Sequence, residues 1–311
     1  MNFSVIARVL GLLMMIFSFT LVPPMIVSVI YQDGTLNAFI YALIITFGIG
    51  FIAWLPVRNH RQELKTRDGF IITVLFWLVL AFSGSVPLYL AEEPSLSYTD
   101  AFFESLSGWS TTGATVITGL DSLPESILWY RQQLQWLGGM GIIVLAVAVL
   151  PMLGIGGMQL FRMESSEMGE KILPKTGQLA AAIGGIYLTL TVMCGIGYLM
   201  AGMGGFDAVA HAMTTIATGG YSTSDASLGG FMDNGADLVA IAFMLAGALP
   251  FGVYLLAVRG SFRPAWRDPQ MRGFLLAVVG LIALVTFYLW ANKVYLGNEA
   301  LRLSAFNVIS V

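Results

Sequence analysis

Seven stretches of this chain are long and apolar enough to cross a ~30 Å hydrocarbon core, which takes about 20 helical residues. They lie near residues 5–31, 36–57, 70–91, 128–153, 178–203, 237–258 and 273–291. Nothing else in the chain offsets them. Charged residues make up 11% and hydrophobic residues 57% of the 311 positions, against about a quarter charged in ordinary globular chains. An all-α polytopic membrane protein is therefore expected. A disordered chain, a disulfide-stapled scaffold and a nucleic-acid binder are excluded by the apolar content, the single Cys194 and the net charge of −3. Cys194 sits in an apolar run and reads as a small buried hydrophobe. The first stretch holds Pro23 and Pro24 and no small-residue cleavage site follows it, so it is a retained span rather than a signal peptide.

Charge assigns the sidedness. Arg8, then Arg58, Arg61, Lys65 and Arg67, then Arg162, Lys171 and Lys175, then Arg259, Arg263, Arg267 and Arg272 all fall on one side of the seven spans. Only Arg131, Lys293 and Arg302 fall on the other. The positive-inside rule makes the first side, and with it the N-terminus, cytoplasmic. This holds only if the semi-apolar segments near 100–116 and 207–222 do not cross the membrane. A helix over 100–110 reaches about 16 Å at 1.5 Å per residue, so both segments are expected to be re-entrant: a half-helix going in and an extended strand coming back.

The order of pieces repeats. A span, then TDAFFESLSGWSTTGATV (Thr99 to Val116), then a span is followed by a span, then FDAVAHAMTTIATGGYS (Phe206 to Ser222), then a span. Asp100-Ala101 aligns with Asp207-Ala208, and Thr112-Gly113 aligns with Thr218-Gly219 if one residue is gapped. A third copy begins at the 273–291 span and continues as EALRLSAFNVISV, whose Phe306, Asn307 and Ser310 match Phe103, Glu104 and Ser107. The expected division is a two-span N-terminal addition at 1–66, a first pore unit at 67–164, a second at 165–266 and the start of a third at 267–311. Successive units share one orientation, so they are parallel repeats about an axis along the membrane normal.

Irregular backbone at membrane depth is tolerated only where it is buried in protein or faces a water-filled cavity. An extended loop after a half-helix offers carbonyl oxygens that can replace a cation's hydration shell, with the negative end of the helix dipole behind them. Ser110, Thr111, Thr112, Gly113 and Ala114 fit that description, as do Ala217, Thr218, Gly219, Gly220 and Tyr221. Carbonyls without carboxylates favour a monovalent ion. The competing reading has Gly113 and Gly219 merely allowing close packing at a helix break.

These segments, with RDGFIITVLFWLVLAFSGSVPLYL (67–90), LWYRQQLQWLGGMGIIVLAVAVLPMLGIGGMQLFRME (128–164) and KILPKTGQL (171–179), resemble the TrkH-type membrane subunits of the Trk/Ktr/HKT potassium transporter superfamily. The resemblance runs over essentially the whole chain. It implies a potassium-channel-like pore in which four repeats of helix, re-entrant pore helix with filter loop, and helix each give one filter glycine. It places potassium on Thr111, Thr112 and Gly113 in the first filter and on Thr218, Gly219 and Gly220 in the second. It further implies a homodimer in the bacterial inner membrane, gated by a cytosolic TrkA-like nucleotide-binding ring, with potassium as substrate and no cofactor. The third filter and the fourth repeat of that pattern do not occur in these 311 residues, so the chain is expected to be a fragment of a longer protein.

Other residues carry alternatives. An ionised group at membrane depth costs about 2.5–3.5 kcal/mol or more unless paired, so Glu104 either concentrates cations outside the filter or braces its half-helix. His211 is expected to be a hydrogen-bonded core residue, and Asp100 and Asp207 to cap their half-helices. Glu164, Glu167 and Glu170 form a solvated face or a contact for the gating partner. The expected activity is potassium uptake through a conducting subunit. A sodium- or proton-coupled potassium transporter is the alternative, and an intramembrane hydrolase lacks a nucleophile–base pair or paired acids within its spans.

Overall fold

The computed structural model describes residues 3–59, 66–144, 176–258 and 269–311, and over these the fold is all-helical. Its elements in chain order are α1 (Phe3–Phe19), α2 (Val22–Tyr31), α3 (Leu36–Trp54), α4 (Thr66–Leu90), α5 (Tyr98–Trp109) and α6 (Glu125–Val144). After these come α7 (Thr176–Met200), α8 (Gly205–Ile216), α9 (Ala236–Ala248), α10 (Phe251–Val258), α11 (Pro269–Ala291) and α12 (Gly297–Ser310). Among the described residues, five stretches are long and apolar enough to cross a membrane: Phe3–Tyr31, Leu36–Val57, Ile71–Leu90, Ala180–Met200 and Pro269–Ala291.

Proline accounts for two departures from the expected spans. The first stretch is two helices, because Pro23 and Pro24 occupy the opening positions of α2, where a missing N–H is tolerated. The stretch expected at 237–258 is likewise broken into α9 and α10 at Leu249 and Pro250. Pro250 has no N–H to give to the preceding turn and excludes Leu249 from helical backbone. The fourth stretch starts earlier than expected, at Glu125, and is described to Val144. Its remainder to 153 and the acidic residues Glu164, Glu167 and Glu170 lie outside the described residues.

Two apolar clusters share α6. The first joins Phe17, Leu21, Phe39, Leu88, Ala101, Trp109, Tyr130 and Leu134, and so packs the N-terminal helices around α4, α5 and α6. The second joins Tyr187, Cys194, Tyr198, Ala212, Ile216 and Ala240 on α7, α8 and α9, with Trp136 of α6 and Phe306 of α12 against it. Cys194 is buried there as a free thiol. In each cluster a glycine on the helix after the loop lets that helix touch the end of a half-helix. A Cβ at Gly138 would sit 2.1 Å from the Trp109 carbonyl oxygen, and one at Gly247 would sit 2.7 Å from that of Ile216.

The N-terminal helices are fastened to α6 by polar contacts. The Asp33 carboxylate accepts from the Ser126 amide at the start of α6 (2.9 Å), from Ser28 Oγ (2.6 Å) and from Thr35. One helical stretch further along, Gln133 Nε2 donates to the Thr20 carbonyl exposed by the α1–α2 break.

Candidate functional site

The two half-helices are twins. Each has 12 residues, and α8 begins and ends 107 residues after α5. At 1.5 Å per residue each is about 18 Å long, so each reaches part-way through a bilayer. Their N-termini are satisfied differently. Ser97 caps α5, accepting from the Asp100 amide (3.2 Å) while its hydroxyl donates to Asp100 Oδ2 (2.7 Å), a reciprocal arrangement close to a capping box. In α8 the cap is Gly204 with no side-chain bond, and Asp207 instead accepts from Thr223 Oγ1 (2.7 Å), tying the helix start to the returning chain.

The C-terminal turns are the same structure twice. Thr111 N donates to Gly108 O (3.0 Å) and Thr112 N to Ser107 O (3.0 Å), while Thr218 N donates to Thr215 O (3.1 Å) and Gly219 N to Thr214 O (2.9 Å). This is the paired bonding of a Schellman motif, and it puts Thr111 (φ 55°) and Thr218 (φ 52°) in the left-handed region. Two residues later Gly113 (φ 76°) and Gly220 (φ 87°) return to it, where a glycine avoids β-carbon crowding. The register corrects the expected alignment. Thr111 matches Thr218 and Gly113 matches Gly220 without a gap, so the Thr-Gly pairs that look alike in sequence are out of step by one residue. Gly219 corresponds to Thr112 and stays outside the left-handed region.

Behind the turns, a tie joins the middle of each half-helix to its return strand, again at matching positions. In the first unit Thr115 Oγ1 (2.9 Å) and Val116 N (3.1 Å) donate to the Glu104 carboxylate. In the second, His211 Nε2 and Ser222 Oγ are 2.9 Å apart, and His211 Nδ1 lies 2.9 Å from the Asp207 carbonyl oxygen. Glu104 is fully buried, so it braces the half-helix from within. In α12 Asn307, which the sequence repeat aligns with Glu104, donates to Leu303 O (2.8 Å). Arg302 one turn earlier is paired with buried Asp237 of α9.

The residues that join the two units are on α6. Arg131, which the charge pattern counts on the non-cytoplasmic side, is fully buried in the protein. Its Nε donates to Glu104 Oε1 (2.8 Å), Nη2 to Thr115 Oγ1 (3.0 Å) and Nη1 across to Ser222 O of the second unit (3.3 Å). Its guanidinium lies 4.4 Å from the centre of the Tyr221 ring. Tyr221 in turn donates its hydroxyl to Glu104 O (2.8 Å). One turn along, Gln135 accepts from Thr214 Oγ1 and Tyr221 N (3.0 Å) and donates to Gly219 O (2.8 Å). The loops also meet directly: a Cβ on Gly113 would lie 2.1 Å from Gly219 O. Further out, Gly119 N donates to Asp225 Oδ1 (3.1 Å).

Thus Ser110, Thr111, Thr112 and Gly113 lie beside Ala217, Thr218, Gly219 and Gly220, while Asp100 and Asp207 stand at the far ends of the half-helices. Ser110, Thr112, Thr218 and Gly220 are exposed on the loops, and Ala217 and Gly219 are buried. Arg131, Gln135 and Tyr221 are the supporting residues that sequence reasoning missed as such. The signal was available: Arg131, Gln132, Gln133 and Gln135 form a polar run inside an otherwise apolar span, and intramembrane polar residues call for a functional explanation. Among the described residues no group of three or more His, Cys, Asp or Glu converges to hold a metal. The ligands on offer at the loops are hydroxyls and backbone carbonyls.

A family model described as "TrkH: Cation transport protein" matches residues 35–296. The chain is 49% identical over 314 residues to the Trk system potassium uptake protein TrkH of Halomonas elongata, covering 100% of this chain and 65% of that protein. It is 46% identical over 298 residues to the protein of the same name from Escherichia coli K12, covering 95% and 62%. Among solved structures, the crystal structure of the potassium transporter TrkH from Vibrio parahaemolyticus superposes with a TM-score of 0.90 at 43% identity. That match covers 100% of this chain and 64% of the other. The chain therefore spans somewhat under two thirds of the length of these relatives.

Proposed function

The chain belongs to the TrkH family of cation transport proteins, and from that premise we propose that it forms the ion-conducting part of a potassium uptake system. The observation that carries this reading is the twinned turn. Two loops 107 residues apart repeat positive φ at the same two positions, Thr111 with Gly113 and Thr218 with Gly220, each at the C-terminal, negative end of a half-helix, and the two are in contact. Such loops present carbonyl dipoles to a dehydrated monovalent cation.

In this reading Ser110, Thr111, Thr112 and Gly113, with Ala217, Thr218, Gly219 and Gly220, form two sides of a selectivity filter, and potassium passes along Thr111, Thr112, Gly113, Thr218 and their neighbours. Glu104 and Arg131 hold the first side in place, His211 and Gln135 hold the second, and Asp100 and Asp207 support the half-helix starts. Residues 1–66 are an addition outside the pore units 67–164 and 165–266, and 267–311 begin a third. The subunit sits in the bacterial inner membrane with its N-terminus in the cytoplasm, as the distribution of Lys and Arg supports. It works as a homodimer with a cytosolic nucleotide-binding ring, as membership of the family supports.

Glu104 and Asp237 are both buried and each is paired with an arginine. The test is potassium flux into liposomes containing the full-length subunit. Flux that reverses with membrane potential alone supports the reading, and a requirement for a sodium or proton gradient overturns it. Gly113→Ser is expected to admit sodium, and unchanged potassium-over-sodium selectivity in that variant would remove the filter assignment.

A further inference from the structure

The two loops do not offer the same carbonyls. In the second loop the Gly219 oxygen already accepts a side-chain hydrogen bond: Gln135 Nε2 donates to it at 2.8 Å. It is also pressed against the first loop, where a Cβ on Gly113 would lie 2.1 Å away. Gly219 itself is buried while its neighbours Thr218 and Gly220 are exposed. The corresponding residue of the first loop, Thr112, is exposed, and its hydroxyl bonds locally to Ser110 Oγ (2.8 Å). Among the described residues no side-chain amide holds the Thr112 carbonyl as Gln135 holds that of Gly219.

Gln135 is built for this task. It is fully buried, and its own oxygen is occupied by Thr214 Oγ1 and Tyr221 N. That orientation fixes which end of the amide is nitrogen, since two donors reach the oxygen and only a carbonyl meets the nitrogen. The side chain cannot flip without breaking three bonds. A carbonyl oxygen has two lone pairs, so this bond does not block an ion, but it fixes where the carbonyl points and draws on the charge the oxygen can offer a cation.

We propose that Gln135 is a specificity-determining positioning residue that orients the Gly219 carbonyl and weakens the field it offers an ion, so that the second loop binds potassium less strongly than the first. Discrimination between potassium and sodium depends on the number and field of the coordinating carbonyls. Gln135 therefore limits that discrimination. The inference rests on the reading that these loops line the ion path.

The test is Gln135→Glu in the full-length subunit, reconstituted in liposomes, with potassium and sodium flux measured on the same preparation. The carboxylate keeps the bonds from Thr214 and Tyr221, removes the donor to Gly219 and repels its oxygen. The added charge changes the local field as well, so the proposal requires the ratio to rise also in a variant without that charge. The expected result is a potassium-to-sodium flux ratio raised about three- to tenfold, the factor corresponding to one buried hydrogen bond. An unchanged ratio, or a lower one, overturns the proposal. Gln135→Met, which drops all three bonds without adding charge, separates support from positioning. A shared loss of both fluxes at a constant or lowered ratio assigns Gln135 to scaffolding alone and also overturns it, whereas a raised ratio supports it. Absence of potassium flux in the unsubstituted protein would instead remove the functional reading beneath it.

Discussion

The first and second pore units solve one structural problem with opposite chemistry. Both must fasten the middle of a short half-helix to the strand that returns beside it. The first uses a buried carboxylate, Glu104, which needs Arg131 to balance it, and the second uses an imidazole, His211, bonded to a serine hydroxyl. The backbone they support is the same to within a few degrees at Thr111 and Thr218. The tie itself is therefore what the fold requires, and its charge is free to vary. Choosing a charge has a consequence, because Arg131 then reaches past Glu104 to Ser222 and couples the first unit to the second.

Breaking the charged tie gives the largest expected effect. Removing either partner of a buried ion pair strands the other, so Arg131→Leu or Glu104→Gln alone is expected to destabilise by about 3–5 kcal/mol. The double variant Glu104→His with Arg131→Leu gives the first unit the histidine tie of the second. It is expected to lose less than Glu104→His and Arg131→Leu summed, in a cycle measured by unfolding of the detergent-solubilised protein. A strictly additive cycle would contradict the equivalence of the ties.

The two loop glycines sharpen the contrast next. Both take positive φ, but a Cβ on Gly113 meets the Gly219 oxygen whereas one on Gly220 meets nothing within 4 Å. Gly113→Ala is expected to cost about 2–4 kcal/mol, from backbone strain plus overpacking, and Gly220→Ala about 1 kcal/mol from strain alone. Equal unfolding midpoints for the two variants would show that the loops are not in contact. His211→Gln, which keeps a donor but loses one of two hydrogen bonds, is expected to cost about 1 kcal/mol, well below Glu104→Gln.

The smallest expected effect lies outside both units and serves as their control. Burial pushes the Asp33 carboxyl pKa up, but the bonds from Ser28, Ser126 and Thr35 outweigh it and leave the value below the ordinary 3.8. A depressed carboxylate stabilises above its unfolded pKa and loses that contribution as the pH falls through the folded one. Attachment of the N-terminal helices to α6 is thus expected to be constant from pH 8 to about pH 5 and to weaken only below about pH 4. Asp33→Asn should abolish that acid-dependent loss, as read from protease sensitivity of the 1–66 region against pH.

The half-helices were legible in sequence because their ends are local matters. Length, the aspartates at Asp100 and Asp207 and the glycines two residues beyond the last turn all repeat within one window. The exact loop register was not, since identical Thr-Gly pairs outweighed a hydrogen-bond pattern that only the backbone displays. Pro250 did announce the break between α9 and α10, but the apolar run on both sides of it hid the signal. Arg131 and Gln135 stayed opaque for a different reason. Their partners Ser222 and Gly219 lie 91 and 84 residues further on, and no local pattern reports a bond of that reach.

That separation has a consequence for how the protein is made. When α6 leaves the ribosome it carries an arginine and three glutamines into the membrane, and the groups that satisfy Arg131 and Gln135 on the far side do not yet exist. At about 5–20 residues per second they follow on the order of ten seconds later. Through that interval α6 is a weaker span, since Gln135 has none of its partners and Arg131 lacks Ser222. Stable integration of α6 is thus a joint event with α8 and its loop, and a nascent chain halted before residue 214 should leave α6 extractable from the bilayer where a chain halted after residue 258 does not.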